Sequence, residues 1–297
     1  MAAGLHNPYR DPRGQWIRGN FHGHCSEHSG CATVPLAEGV RRFRDVGTRF
    51  MAVTDHDHVT ELAALRATCP DMVFLDGFEH SASEHLAFVG ESVDPLHQFP
   101  LDEALRRADG LLTLACHPQP DGEESDYWTR DKLVALGTWP DGIEVYNGHY
   151  GLEAALSRGR WPRYTEFWDE LLTAGHWLWG FANDDFHDLE DLGNAFNMVL
   201  VEEVTAAAIV RAAKRGRCYA STGLLLHEVN EAAGHIVVDV ETSCAGVFIG
   251  PGGQALGGGE GTHFEHAVGG EAYVRFQAEG DTGLLFLQPM FRQSSGP

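Results

Sequence analysis

Trp16-Ile17-Arg18-Gly19-Asn20-Phe21-His22-Gly23-His24 reads as an apolar-leaning strand that ends in a His-x-His pair. Side chains alternate along an extended chain, so residues two apart share a face, and two neutral imidazoles there can reach one metal ion. With 17 His in 297 residues, such a spacing arises easily by chance. The pair has to be weighed against the rest of the chain.

Downstream of His24 the same arrangement repeats. A helix is expected from Pro35 to Val46, with Leu36, Val40 and Phe43 as its buried stripe and Gly47 just past its end. The buried-strand run Phe50 to Thr54 then leads into Asp55-His56-Asp57-His58. Met72 to Leu75 leads into Asp76-Gly77-Phe78-Glu79-His80, and His85 opens the run Leu86 to Val89. After a short helix from Leu101 to Ala108, Leu111 to Cys116 ends at His117-Pro118. Gly142 to Tyr146 gives way to Asn147-Gly148-His149, and Trp177 to Phe181 runs into Asn183-Asp184-Asp185-Phe186-His187. A helical stripe from Tyr164 to Leu172 and a strand and helix over Phe196 to Val201 and Thr205 to Lys214 complete the series.

Short apolar runs alternating with helical patterns predict βαβ units and a parallel sheet. Metal-binding side chains stand at the C-terminal end of nearly every expected strand. In a parallel barrel those ends converge on one mouth, where variable loops are held by packed strands. The position of these residues argues more strongly than any single motif.

After Tyr219 to Gly223 helical periodicity stops. Ile236, Val238 and Val240 alternate onto one face, as do Ala272, Val274 and Phe276, and Leu284 to Leu287 suggests a further strand. The division expected is a barrel over residues 1–223 and a small antiparallel β domain over 224–297. The Gly-rich segment Pro251 to Gly261 lacks the Gly-Lys-Ser/Thr ending of a phosphate loop and is expected to be a flexible hairpin connection.

Composition narrows the function classes. Lys and Arg number 21 against 43 Asp and Glu, a formal charge of -22 that repels nucleic-acid backbones and anionic membranes over most of the surface. The six cysteines form no Cys-x-x-Cys pair and read as reduced thiols of a cytoplasmic protein. The segment Met1 to Gly14 is polar, without the apolar run of a secretory signal, and no apolar run reaches membrane-spanning length.

Taken together, His22-Gly23-His24, Thr54-Asp55-His56, Gly77-Phe78-Glu79, His117-Pro118 and Asp185-Phe186-His187 resemble the motif series of the PHP (polymerase and histidinol phosphatase) family of metal-dependent phosphoesterases. The resemblance spans His22 to His187 and keeps the family's order. It implies an α/β fold, a distorted seven-stranded β/α barrel, holding two or three divalent ions. By position, it implies that His22, His24, Glu79 and Asp185 hold one ion. Glu79 would bridge to a second, bound by His117 and His85, with His80 and His97 as alternatives to His85. A third would take His56 and His187. Where the family often reads Thr-x-x-Ser-Asp-Gly, this chain has Cys25-Ser26-Glu27-His28-Ser29-Gly30, so Ser29 replaces the usual acidic ligand and His28 is the candidate substitute. The β extension further resembles a branch of PHP-domain metallohydrolases, some of which are associated with ester or carbamate cleavage.

The chemistry implied is hydrolysis by metal-activated water, for which mixed imidazole and carboxylate ligands suit Zn, Mn or Fe. His149 or His28 is a candidate proton donor, and Asp55 a candidate orienting residue. Arg158, Arg160 and Arg163 form the densest basic cluster, a candidate clamp for an anionic small-molecule substrate, although a solvated helix start explains them equally well. The first expectation is a phosphoesterase acting on a small metabolite. The alternatives are a carboxylic ester, amide or carbamate hydrolase and a non-catalytic metal-binding module.

Overall fold

The computed structural model describes residues 5–91, 93–118 and 127–292. Residues 1–4, where the N-terminal segment begins, and 293–297, where the expected β domain ends, lie outside the described residues. The first half contains β1 (Leu5–His6), β2 (Gln15–Asn20), α1 (Leu36–Asp45), β3 (Phe50–Val53), α2 (Ala63–Thr68), β4 (Val73–His80), β5 (Leu86–Val89), α3 (Leu101–Arg107) and β6 (Leu112–Ala115). Next come α4 (Arg130–Ala135), β7 (Gly142–Asn147), α5 (Glu153–Leu156), α6 (Thr165–Thr173), β8 (Trp179–Asn183), β9 (Phe196–Val201), α7 (Ala206–Lys214) and β10 (Cys218–Ser221). The remainder is all β: β11 (Leu226–Ala232), β12 (His235–Gly250), β13 (Gln254–Ala267), β14 (Tyr273–Gly280), β15 (Gly283–Leu287) and β16 (Met290–Arg292).

The result is a mixed α/β fold. Strands β2, β3 and β4 pair in parallel, as do β6, β7 and β8. Strand β5 lies antiparallel between β4 and β6, which departs from the expected run of βαβ units. Residues 81–85 are too few for a crossover helix, so the chain leaving β4 can only turn back beside it. Strand β9 returns antiparallel to β2, so the hydrogen-bonded order is β9-β2-β3-β4-β5-β6-β7-β8 where seven strands were expected.

The seam between β8 and β9 has no backbone ladder; two side-chain amides stand in for one. Ala182 donates to Asn197 Oδ1 at 3.1 Å and accepts from Asn197 Nδ2 at 2.7 Å, while Gly180 exchanges the same pair of bonds with Gln288, both at 2.7 Å. Each amide satisfies one donor and one acceptor of the β8 edge that would otherwise be buried unpaired. This closure is compatible with a distorted barrel.

The strands after β10 are antiparallel but do not stand apart. Strand β10 pairs with both β9 and β15, so β15, β14, β16 and β1 continue the same sheet. The expectation for the Gly-rich segment is corrected: only Pro251–Gly253 turns, and from Gln254 the chain is strand β13, paired with β12 as far as Ala267. Glycine suits that strand because the two backbones approach closely; a Cβ at Gly258 would lie 2.1 Å from the Gly246 carbonyl oxygen.

Three apolar cores form among the described residues. One packs Phe50, Leu75, Leu114, Ile143 and Phe181 of the strands against α6 and α7 through Trp168, Leu171 and Ile209. A second lies among the C-terminal strands around Tyr219, Val238, Phe248, Phe276 and Leu285. The third packs Val40 and Phe43 of α1 on Met51, Val53, Phe74 and Phe186. No helix among the described residues is long and apolar enough to cross a membrane.

Helix α6 and the C-terminal strands are joined by a buried ion pair. Arg275, 2% exposed, donates to Asp169 Oδ1 and Oδ2 at 2.7 and 2.6 Å, and the Tyr273 hydroxyl adds a third bond at 2.9 Å. Removing one partner strands the other charge away from water. Asp169→Ala is expected to cost about 3–5 kcal/mol in urea denaturation. Replacing Asp169 and Arg275 together by apolar residues of similar volume should recover most of that loss.

Candidate metal centre

The end of β2 is pinned from both sides before its histidines begin. Phe21 N–H donates to Asn183 Oδ1 at 2.9 Å, Thr54 N–H to the Gly23 carbonyl at 2.9 Å, and His24 N–H to the Phe186 carbonyl at 2.9 Å. These bonds bring the β2, β3 and β8 ends to one place. Glu79 enters from within β4, His85 from just before β5, and His117 from just after β6. His117 and Asp185 both adopt left-handed backbone, with φ of 27° and 51°, an uncommon conformation for such residues. For His117 it is held by its own N–H, which donates to Glu144 Oε2 at 2.7 Å.

The side chains converge on two buried carboxylates. His22 Nε2 lies 3.3 Å from Glu79 Oε1 and 3.2 Å from Asp185 Oδ1, and His24 Nε2 lies 3.2 Å from the same Asp185 oxygen. His85 Nδ1 and His117 Nε2 approach Glu79 Oε1 at 3.0 and 3.3 Å, and His56 Nδ1 approaches Oε2 at 2.9 Å. His187 lies across the mouth, its ring centroid 4.5 Å from that of His24. The structure thus brings together His22, His24, His56, Glu79, His85, His117, Asp185 and His187.

These donors fit a cation better than they fit one another. His56 Nδ1 and Glu79 Oε2 are buried and 2.9 Å apart, yet neither has a hydrogen-bond partner of acceptable geometry. His22 Nε2 and His24 Nε2 stand 3.2 Å apart, two imidazole nitrogens aimed at a common region. Buried polar atoms are ordinarily satisfied, and ligand atoms that point at a shared centre rather than at each other are an exception with a chemical reason. Burial alone would raise the Glu79 pKa, but His85, His22 and His117 hold it well below the usual range. Asp185 is likewise held low, against its burial, by His22, His187 and His24. Burial pushes His24 down to about 4, which leaves it neutral at pH 7 with a lone pair to give.

A layer behind the donors fixes their orientation, and its main member, Glu144, was missed in the sequence. Glu144 is fully buried; its Oε1 accepts from His22 Nδ1 at 2.8 Å and Asn183 Nδ2 at 3.0 Å, and its Oε2 accepts from Asn147 Nδ2 at 3.0 Å. Holding the proton on His22 Nδ1 leaves Nε2 free to ligate. Asn147 also donates to Asp185 Oδ2 at 3.1 Å.

The remaining sequence candidates are dispersed. Asp55 is buried and accepts from Cys25 N at 2.9 Å, Ser29 Oγ at 2.6 Å and Thr60 Oγ1 at 2.5 Å, so it organises the Cys25-to-Ser29 turn instead of facing the donors. His149 stands at the rim, 4.8 Å from the His187 ring, with Nδ1 2.9 Å from Asp191 Oδ1. Against the lowering effect of burial, that carboxylate raises its pKa. His28 is not brought to the cluster; it is exposed and stacks on His58 at 4.0 Å.

The three arginines do not form one clamp. Arg158 is exposed, and Arg163 turns toward the C-terminal strands, 3.6 Å from Glu279. It borders a cavity of about 1060 Å³ between α6 and β14, away from the donors. Arg160 alone approaches the mouth, over the rings of Tyr127 and Tyr150 at 4.5 and 5.1 Å, and Tyr150 in turn lies 5.1 Å from the His117 ring. A second residue that the sequence did not single out is Cys31, near the His187 and His56 imidazoles. Desolvation on its packed side would raise its pKa, but the two imidazoles bring it to about 6.

No protein-family model matches the chain, and no curated protein is similar enough to count as a relative. Among solved structures, the chain resembles a two-domain protein from Bacteroides vulgatus that contains a predicted PHP-like metal-dependent phosphoesterase. The TM-score is 0.55 and the identity 17%, over 93% of this chain and 95% of that one. The chain has the PHP fold. Weaker matches include an amidohydrolase from Chromobacterium violaceum, with TM-score 0.43 and 14% identity over 67% of this chain and 96% of that one. Another is a lesion-specific endonuclease from Pyrococcus furiosus, with TM-score 0.45 and 12% identity over 68% and 56%.

The role assigned to Glu144 can be measured. Glu144→Gln keeps the shape of the side chain and removes the charge that orients His22, and the affinity for added divalent cation is expected to fall about 10- to 100-fold with the circular dichroism unchanged. An unaltered affinity would reduce Glu144 to a packing residue.

Proposed function

We propose that this chain is a metal-dependent hydrolase, most simply a phosphoesterase acting on a small anionic metabolite. The observation that carries the reading is the convergence of His22, His24, His56, Glu79, His85, His117, Asp185 and His187 on one buried locus, with donor atoms of His56 and Glu79 left without hydrogen-bond partners. His22, His24 and Asp185 would hold one ion, His85 and His117 a second that shares Glu79, and His56 and His187 a third. The donor set of imidazoles and carboxylates favours Zn, Mn or Fe. When bound, such ions supply Lewis acidity and bring the pKa of a water toward neutrality.

The chain's own residues set the rest of the chemistry. His149, steadied at Nδ1 by Asp191, is in reach of a leaving group entering the mouth and donates its proton there. Asp55 acts as a positioning residue, fixing the turn that carries Ser29 against His24. Arg160 supplies the counter-charge for an anionic substrate, its guanidinium plane held on Tyr127 and Tyr150. Residues 1–223 would form the barrel unit carrying this site and 224–297 a β unit beside it. The thiol pattern of the sequence favours a cytoplasmic setting, and the partner is a small molecule.

The dispersal of Arg158 and Arg163 favours a second reading. A site with one arginine at its mouth suits a carboxylic ester, amide or carbamate nearly as well as a phosphate. Phosphate and carboxyl substrates tested side by side on protein of measured metal content separate the two.

His22→Ala or Asp185→Ala is expected to lower bound metal and turnover together, the latter at least about 100-fold, since loss of a direct ligand should exceed the effect of losing a residue behind it. Undiminished turnover after chelation would exclude the mechanism. Arg160→Ala should raise KM for the anionic substrate about tenfold with little change in kcat, the effect of losing one charge-assisted hydrogen bond.

A further inference from the structure

Strand β13 leaves one whole edge open. Among the described residues it pairs with β12 alone, over the 14 residues from Gln254 to Ala267. Most of them are exposed, and none is Lys or Pro, the residues with which natural edge strands most often fend off a second strand. The edge of β11, on the other flank of β12, is only 7 residues long, and Arg10 crosses to its Glu231 at 3.0 Å.

The backbone groups that face outward can be assigned. Antiparallel ladders alternate, so every second residue of β13 turns its N–H and carbonyl away from β12. Val268 N–H donates to the Gly234 carbonyl at 2.8 Å, in the register that runs on from Ala267 opposite His235 to His263 opposite Asp239. Even-numbered residues here therefore bond to β12, while His263, Glu265 and Ala267 turn their backbone groups outward. On the other flank Glu241 N–H donates to the Leu225 carbonyl at 3.0 Å, which gives β12 the complementary alternation.

A second copy lying antiparallel must set outward-facing residues against outward-facing residues, which leaves few registers. Centring the contact on His263 or on Glu265 opposes like groups at the two-fold axis. Centring it on Phe264 sets Glu265 of each copy opposite His263 of the other. Within one chain His263 Nδ1 lies 2.7 Å from Asp239 Oδ1, and His235 Nδ1 lies 2.7 Å from Glu265 Oε1. Across the four strands the exposed face then reads Asp239, His263, Glu265, His235, with carboxylates and imidazoles alternating.

We propose that the open edge of β13 is a self-association surface, on which two copies of this chain pair β13 to β13, antiparallel, with Phe264 at the two-fold axis and Glu265 opposite His263 on both sides of it. A formal charge of -22 on each chain opposes indiscriminate contact between copies, and this edge is a place where the signs complement each other. Main-chain hydrogen bonds supply the affinity and the alternating side chains the register. A contact made by one pair of strands is small, so the dimer is reversible and depends on concentration.

Sedimentation velocity of the full chain over a series of concentrations is the test, with circular dichroism to verify the fold of each variant. The unsubstituted chain is expected to pass from monomer to dimer and stop there, because a two-fold contact closes on itself, whereas β13 laid against β11 would grow into filaments. Glu265→Pro removes an outward N–H and spares the β12 ladder, so it should abolish the dimer. Glu231→Pro, the equivalent change on the β11 edge, should leave it intact. Glu265→Lys sets two basic groups opposite each other on both sides of the axis and should weaken the dimer at least about tenfold. His263→Lys keeps opposite signs in contact and should associate as tightly as the unsubstituted chain or more so. Should Glu265→Pro not fold, the two lysine variants decide. Monomer at every concentration overturns the proposal, as does growth beyond a dimer or a dimer indifferent to Glu265→Lys. A dimer that His263→Lys weakens as much as Glu265→Lys has another register, and that overturns it too.

Discussion

Two acidic side chains buried within reach of the same imidazoles govern this molecule. Glu79 and Asp185 are 0% and 2% exposed, and a third carboxylate, Glu144, lies directly behind them. Taking one carboxylate out of water costs several kcal/mol, and three together also repel one another. The fold offsets that cost in layers. Asn147 and Asn183 donate to Glu144, Asn147 also to Asp185, and the histidines surround Glu79. What remains is a cluster of ligand atoms not fully satisfied by protein, and a cation is the group that would complete it.

Strand direction explains how so many polar groups can meet inside an apolar α/β fold. In each parallel trio the C-terminal ends point the same way, so His22, Asp55 and Glu79 issue from one rim, as do His117, Asn147 and Asp185. The antiparallel β5 would break the series, but it turns the chain twice. Strand β6 therefore runs in the direction of β4, and His85, at the opposite end of its strand, still arrives at the rim. The rule that strand ends carry the site holds here because the exception comes in a pair of reversals.

That logic also sets what could be read in advance. Five motifs in order, each directly after an apolar run, made the convergent cluster legible, because these side chains belong to the strand-and-loop pattern itself. Glu144 was invisible for the opposite reason. Inside Gly142–Asn147 a single Glu between apolar residues looks like the solvent-facing position of an alternating strand, and only the neighbouring histidines, far away in sequence, reveal that it faces inward. The arginines misled because closeness along the chain was taken for closeness in space. They follow a one-turn helix, α5, after which the chain changes direction, so Arg158, Arg160 and Arg163 diverge. For the Gly-rich segment, composition suggested flexibility where the chain is a strand, and at Gly258 the approach of the Gly246 backbone requires glycine. Cys31 carried no spacing signal at all, since the imidazoles that lower its pKa, His56 and His187, are far away in sequence.

The amide seam links the C-terminal strands to the donors. Gln288, just beyond β15, holds both polar groups of Gly180. Two residues along the same strand Asn197 holds Ala182, and its amide also donates to Asn183 Oδ1 at 3.0 Å. Asn183 in turn accepts from Phe21, next to His22, and donates to Glu144, which fixes the His22 ring. Every link is buried, and a buried amide left without its partner costs about as much as the hydrogen bond itself contributes in a dry interior. The C-terminal strands are thus more than an appendage to the parallel strands. Their Gln288 completes the β8 edge from which Asp185 and Asn183 project, so the orientation of the first histidine depends on residues added after the last recognisable motif of the sequence.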